Sequence, residues 1–294
     1  MKKLTTATVG LLLLTTGICF TGERPNTIEA FQRSNSRARV IAHRGFSGRA
    51  PENTLASISE AIAIGADMVE IDVTLTADGH VVVIHDNKVQ RTTDGHGPVA
   101  GFTLAELQQL DAGSWFAPRF AGERIPTLDQ VLEAVDGRIL LNVEIKSKAV
   151  PDGVAGTVAA AIQARGMEHQ VIVSSFSSQA LGEMRSAAPE ISTAVLYNPK
   201  LHRGMDPVEI VTGLGASMLN VKASRLTDEM LRRCREHGIP VGIYTIDKSK
   251  KMRRFLDRGV HAIITNRPDR MLEIVKGAPN AASAPALQTV AATP

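Results

Sequence analysis

Short apolar runs alternate along the chain with segments of helical periodicity, and this alternation confines it to folds built of βα units around a parallel sheet. Nine runs read as strands: Val40 to His43, Met68 to Thr74, Val81 to His85, Ile139 to Lys146, Val171 to Phe176, Thr193 to Tyr197, Met218 to Lys222, Val241 to Ile246 and Ala262 to Thr265. The second and third are separated by a tight turn with Asp78-Gly79 at its centre. Parallel neighbours need a crossover of roughly a dozen residues or more, so this pair must be an antiparallel hairpin. Eight parallel strands remain. With about 240 residues to share among them, they predict an α/β fold, a (β/α)8 TIM barrel with a small insertion after the second strand. An open doubly wound sheet is the competing architecture. It would carry a Gly-rich phosphate loop after the first strand, and the sequence has none there.

Helix start signals agree with this division. Thr127-Leu128-Asp129-Gln130 is a capping box ahead of Leu128, Val131, Leu132 and Val135, and Thr227 precedes Met230, Leu231 and Cys234 with Gly238 as the stop. Between His85 and the first of these boxes lie roughly forty residues, too many for a plain barrel loop. They place the insertion at about 73–125, on the active face, with Trp115 as a packing anchor.

The 294 residues, 44% hydrophobic and 21% charged, suffice for one large core, and a net charge of +3 gives no reason to invoke nucleic acid. Lys2 and Lys3 followed by the apolar run Val9 to Phe20 read as a secretory signal over 1–22, which predicts a secreted or extracytoplasmic protein. The run is short for a bilayer span, so no stable membrane span is expected after cleavage. Ile18 precedes Cys19 where a lipoprotein signal wants a small residue, so lipidation is not expected. Cys234 is then alone and reads as a buried structural thiol. Residues 23–38 read as a polar leader, 39–276 as the barrel and 277–294 as a disordered tail.

In a TIM barrel the functional face lies at the C-terminal ends of the strands. The first strand ends in His43-Arg44-Gly45. The second carries Glu70 and Asp72 and the third parallel strand Glu144 and Lys146, each pair two residues apart and so on one face. In an interior otherwise of Val, Ile and Leu, three such carboxylates would repel without a cation. An all-oxygen donor set favours Mg²⁺ or Ca²⁺ over zinc. Folding the hairpin about Asp78-Gly79 pairs residues whose numbers sum to about 157 and sets His85 opposite Asp72, within a register tolerance of one or two. Two histidines beside a cation, with Arg44 and Lys146 at hand, suit an anionic substrate that gains one proton and loses another. A phosphodiester fits that description. His80, His96, His169, His202, His237 and His261 lie in turns, helices or strand starts and receive no role, and the basic run Lys248 to Arg254 reads as a solvated helix face.

These motifs, with Pro51-Glu52-Asn53-Thr54, Val83-Ile84-His85-Asp86, Ile125-Pro126-Thr127-Leu128, Ser174-Ser175-Phe176 and Ile263-Ile264-Thr265-Asn266-Arg267-Pro268, resemble those of the glycerophosphodiester phosphodiesterases from about Val40 to Met271. The resemblance implies that His43 and His85 are the acid/base pair, that Glu70, Asp72 and Glu144 hold the metal, and that Arg44 and Lys146 contact phosphate. It implies a small-molecule glycerophosphodiester substrate, cleaved to sn-glycerol 3-phosphate and an alcohol. It places Glu52, Phe176 and Tyr244 in the pocket or in the support of these groups, and Asn53 reads as a helix cap. Two departures from the family pattern stand out: Tyr244-Thr245-Ile246 where a Trp is frequent, and Thr265-Asn266 where an Asp is common. A phospholipase D-like enzyme or one acting on glycerol-phosphate wall polymers would use the same site. A non-catalytic surface binding protein would have lost one of these groups, and none is lost.

Overall fold

Apolar alternation resolves into nine strands: β1 (Arg39–His43), β2 (Met68–Leu75), β3 (Val81–Val83), β4 (Leu140–Ile145), β5 (Val171–Ser175), β6 (Ser192–Tyr197), β7 (Met218–Lys222), β8 (Val241–Tyr244) and β9 (Ala262–Thr265). The helices are α1 (Ile28–Arg33), α2 (Leu55–Ile64), α3 (Leu104–Leu107), α4 (Leu128–Val135), α5 (Val154–Ala164), α6 (Ser178–Ala187), α7 (Pro207–Gly213), α8 (Asp228–Glu236), α9 (Ser249–Asp257) and α10 (Pro268–Gly277). The computed structural model describes residues 27–33, 37–146 and 153–277. The signal read over 1–22 and the tail from 278 lie outside the described residues. No helix among the described residues is long and apolar enough to cross a membrane.

Eight strands pair in parallel, and β1 pairs with both β9 and β2, which closes them into a (β/α)8 barrel. β3 runs antiparallel on β2 as the hairpin arm. Val73 faces Val83 and Thr74 faces Val82, so Asp72 falls opposite Ile84 and His85 lies one residue beyond the expected pairing. The cause is the turn. Thr76 N–H donates to His80 O at 3.0 Å around a three-residue loop whose last member, Gly79, has φ 82°. That loop centres on Asp78, where a two-residue turn would have centred between Asp78 and Gly79.

Strand parity divides the residues into two cores. Val69, Ile71, Val143 and Val173 pack outward against the helices. The interior set is Ile41, Met68, Leu140, Ile172, Ala194, Met218 and Ile264 at the floor, and above it the buried polar Asn142, Ser174 and Asn220 with the acidic Glu70, Asp72 and Glu144, where Glu70 pairs with Asn142 and Glu144 with Ser174. The interior is therefore layered from apolar to acidic and is not lined throughout by Val, Ile and Leu as expected. Gly242 leaves room for Asn220, since a Cβ there would lie 2.3 Å from Asn220 Oδ1.

Both capping threonines are confirmed, Thr127 with a complete box and Thr227 accepting from Met230 N–H. The polar leader is corrected. Within it, α1 buries Ile28 and Phe31 under the barrel floor, where Phe31 meets His261 edge-on at 5.5 Å. The insertion has its own small core of Val82, Ile84, Val89, Val99, Leu107, Ala112 and Ile125. Trp115 is 41% exposed and not a deep anchor. Cys234 is free and buried.

Candidate active site

β1 ends at His43, and the next two residues turn back with φ 55° at Arg44 and 76° at Gly45. A Cβ on Gly45 would lie 2.6 Å from the Ser57 carbonyl carbon, so only glycine passes there. The turn throws Arg44 over β2. Its N–H donates to Glu70 Oε2 at 2.9 Å, its Nη1 donates to Glu52 Oε1 at 2.7 Å, and its Nε lies 3.2 Å from Asp72 Oδ2. Strand register sets His43 level with Glu70 and Asp72 level with Glu144.

Glu70, Asp72 and Glu144 are buried, and one oxygen from each lies within 4.8 Å of the others. Lys146 Nζ donates to Glu144 Oε1 at 2.7 Å and to Asp72 Oδ1 at 3.1 Å. Asn53, with φ 59°, donates from Nδ2 to Asp72 Oδ2 at 3.0 Å and accepts from Asp72 N–H at 3.2 Å. It is thus a brace for Asp72, and the helix cap expected of it belongs to Thr54. Burial, then repulsion from Asp72, raises the Glu70 carboxyl to about 8 and that of Glu144 to about 7. Asp72 moves the other way: burial opposes its charge, but Lys146, Arg44, His85 and His43, in that order, hold it well below the carboxylate range. Glu70 Oε1 is buried with no hydrogen-bond partner. Such an orphan, in a convergent all-oxygen set with more carboxylates than cations, fits a hard divalent ion.

Each histidine is oriented through Nδ1. Asn266 Nδ2 donates to Asp247 Oδ2 at 2.9 Å, so Asn266 Oδ1 faces His43 and must accept the Nδ1 proton at 2.7 Å. This leaves His43 Nε2 toward the carboxylates, 3.9 Å from Glu70 Oε2. His85 Nδ1 donates to Asp86 Oδ1 at 2.5 Å. Burial, helped by Arg44, lowers the His43 pKa; burial also lowers that of His85, against Asp72 and Asp86.

The structure gathers His43, Arg44, Glu52, Glu70, Asp72, His85, Glu144 and Lys146 about one mouth, with Asp72 at their electrostatic centre. Phe176 meets Tyr244 edge-on at 6.2 Å, and the Tyr244 hydroxyl has a raised pKa from burial and Glu144. Sequence reasoning missed Arg91. Its guanidinium donates to Glu52 Oε2 at 2.8 Å and Oε1 at 2.7 Å, and its Nε donates to Asp86 Oδ2 at 2.5 Å. Burial would raise the Glu52 pKa, yet hydrogen bonds from Arg91 and Arg44 lower it. The missed signal was spacing: Arg91 follows Asp86 by five residues in an insertion too irregular for periodicity to place it. The role of Asp247 depends on its packing against Asn266 and was equally invisible.

Residues 43–270 match the model of the glycerophosphoryl diester phosphodiesterase family. A glycerophosphodiester phosphodiesterase of Caldanaerobacter subterraneus subsp. tengcongensis is 40% identical over 239 residues, covering 81% of this chain and 97% of that protein. One from Bacillus subtilis is 35% identical over 83% of this chain and 88% of its own length. Among solved structures, an Oleispira antarctica phosphodiesterase in complex with the product sn-glycerol-3-phosphate superposes with TM-score 0.74 at 31% identity, over 82% of this chain and 98% of that one. On these matches, the chain is an enzyme of the glycerophosphoryl diester phosphodiesterase family.

Proposed function

We propose that the protein is exported and hydrolyses glycerophosphodiesters, such as deacylated phospholipids, to sn-glycerol 3-phosphate and an alcohol. The observation that carries this reading is the buried carboxylate triad with its unpartnered Glu70 Oε1, set between two imidazoles and two cations. Glu70, Asp72 and Glu144 would hold one Ca²⁺ or Mg²⁺. When bound, such an ion supplies neutralisation of charge on the phosphate and Lewis acidity.

Arg44 and Lys146 bind the phosphate anion and orient it, exchanging part of their hold on Asp72 and Glu144 for the substrate oxygens. His43 presents Nε2 to the reaction space with its tautomer fixed by Asn266. His85 does so from the insertion with its tautomer fixed by Asp86. An incoming anion raises the pKa of both imidazoles, so one carries the proton that the departing alcohol oxygen needs while the other accepts the proton of the attacking oxygen. The ester P–O bond breaks, a new P–O bond forms, and one water is consumed. The product bound by the Oleispira relative, sn-glycerol 3-phosphate, supports the identity of the retained fragment.

Release of sn-glycerol 3-phosphate from a panel of glycerophosphodiesters tests the reading. His43→Ala and His85→Ala should each lose about 10²- to 10⁴-fold in kcat. Rates equal to the parent's in either would refute the acid/base roles. Export predicts a mature chain starting after about residue 22, to be checked by mass spectrometry of the secreted protein. Recovery of an intact Met1 would refute it.

A further inference from the structure

The basic run from Lys248 is left unused by the chemistry, and it begins at the barrel mouth. α9 starts just past β8, with Lys248 as its N-cap, exposed Lys250 and Lys251 in its first turn, and no acidic residue there. Cations at a helix N-terminus oppose the helix dipole, so the helix itself gains nothing from them. The neighbouring strand β7 ends in exposed Lys222, and the loop after β6 carries exposed Lys200 and Arg203. β6, β7 and β8 are consecutive neighbours in the barrel, and Arg225 Nη1 donates to Asn198 Oδ1 at 2.5 Å to tie two of these loops together. The cations thus form one arc along the rim.

Among the described residues, none of these six forms an ion pair. The nearby carboxylates are committed elsewhere: Asp206 to Arg233 and the start of α7, Asp228 to Arg258, and Asp247 to Thr265 and Asn266. Inside the arc, Leu201 and Met205 are each 55% exposed, and Trp115 in the insertion is the other large exposed hydrophobic among the described residues. A soluble polyanion would pair with the cations and leave Leu201 and Met205 in water. A bilayer bearing anionic headgroups satisfies both sets at once, since apolar side chains enter the acyl boundary while lysines meet phosphates.

We propose that this rim docks the barrel mouth on an anionic lipid surface, with Leu201 and Met205 inserted and Lys200, Arg203, Lys222, Lys248, Lys250 and Lys251 contacting headgroups. The docking is separate from the phosphodiester chemistry and is tested apart from it. The mature protein is cosedimented with vesicles of phosphatidylglycerol and phosphatidylcholine in equal parts, and with phosphatidylcholine alone. The parent should bind the mixed vesicles only, and less as salt rises. Leu201→Ser/Met205→Ser and Lys248→Gln/Lys250→Gln/Lys251→Gln should each lose at least about tenfold in partitioning. Both should turn over a soluble glycerophosphodiester at the parent's rate, which also certifies their fold. Absence of parent binding to mixed vesicles would overturn the proposal. So would lysine-dependent binding that is indifferent to Leu201 and Met205 and displaced by soluble poly(glycerol phosphate), which would mark a polyanion site instead.

Discussion

The amide of Asn266 donates to Asp247 and accepts from His43, so a single side chain decides which imidazole nitrogen faces the carboxylates. In Asn266→Ala the His43 ring keeps its place on β1 but loses the partner that fixes its tautomer. We expect kcat to fall about 10- to 100-fold with metal affinity and KM little changed, as for other residues that orient a reacting imidazole. Steady-state kinetics check this, and an unaltered kcat would contradict it. The paired carboxylates were legible in sequence because Glu70 and Asp72 are two apart and alternation alone puts them on one face. Asn266 was legible only as a departure from the family pattern, a charge missing at the rim. Its contact with His43 spans 223 positions and exists only because β9 closes on β1.

At the scale of elements, the two histidines stand on different supports. His43 ends a barrel strand, whereas His85 follows the hairpin arm β3 and belongs to an insertion with a separate small core. Arg91 joins the two bodies through Glu52 on the barrel loop and Asp86 beside His85. Arg91→Ala should lower kcat by about tenfold or more by loosening His85, and should cost nothing further in a His85→Ala background. Independent, multiplicative losses would show that Arg91 acts elsewhere. Connection length alone identified the hairpin, because no parallel crossover fits between β2 and β3. The register fell one residue from the expected pairing, inside the tolerance of one or two, because alternation does not reveal whether a turn holds two residues or three.

The whole molecule is a barrel with an acidic mouth and a plugged floor. The mouth followed from strand ends and the barrel from βα alternation, but the plug did not. α1 has six residues, two of them large and apolar, too few for a periodic signal to separate it from a leader. His261 under that plug gives a pH dependence. Its Nε2–H donates to Phe31 O at 3.0 Å, and burial drives its pKa down to about 4. The unfolded imidazole, near 6.5, takes up a proton that the native one refuses. Stability from this group is therefore complete above the unfolded value and is lost as pH falls from there toward 4. Urea unfolding should show the parent losing roughly 2 kcal/mol more than His261→Gln between about pH 7 and pH 5. Parallel losses would show that His261 does not set the pH dependence. Phosphodiester cleavage should depend on a divalent ion in the Glu70, Asp72 and Glu144 triad. The decisive measurement is sn-glycerol 3-phosphate release after chelation and on readdition of Ca²⁺ or Mg²⁺. Turnover should be abolished by chelation, recover saturably in the parent and fail to recover in Glu70→Ala. Undiminished turnover after chelation would contradict that dependence.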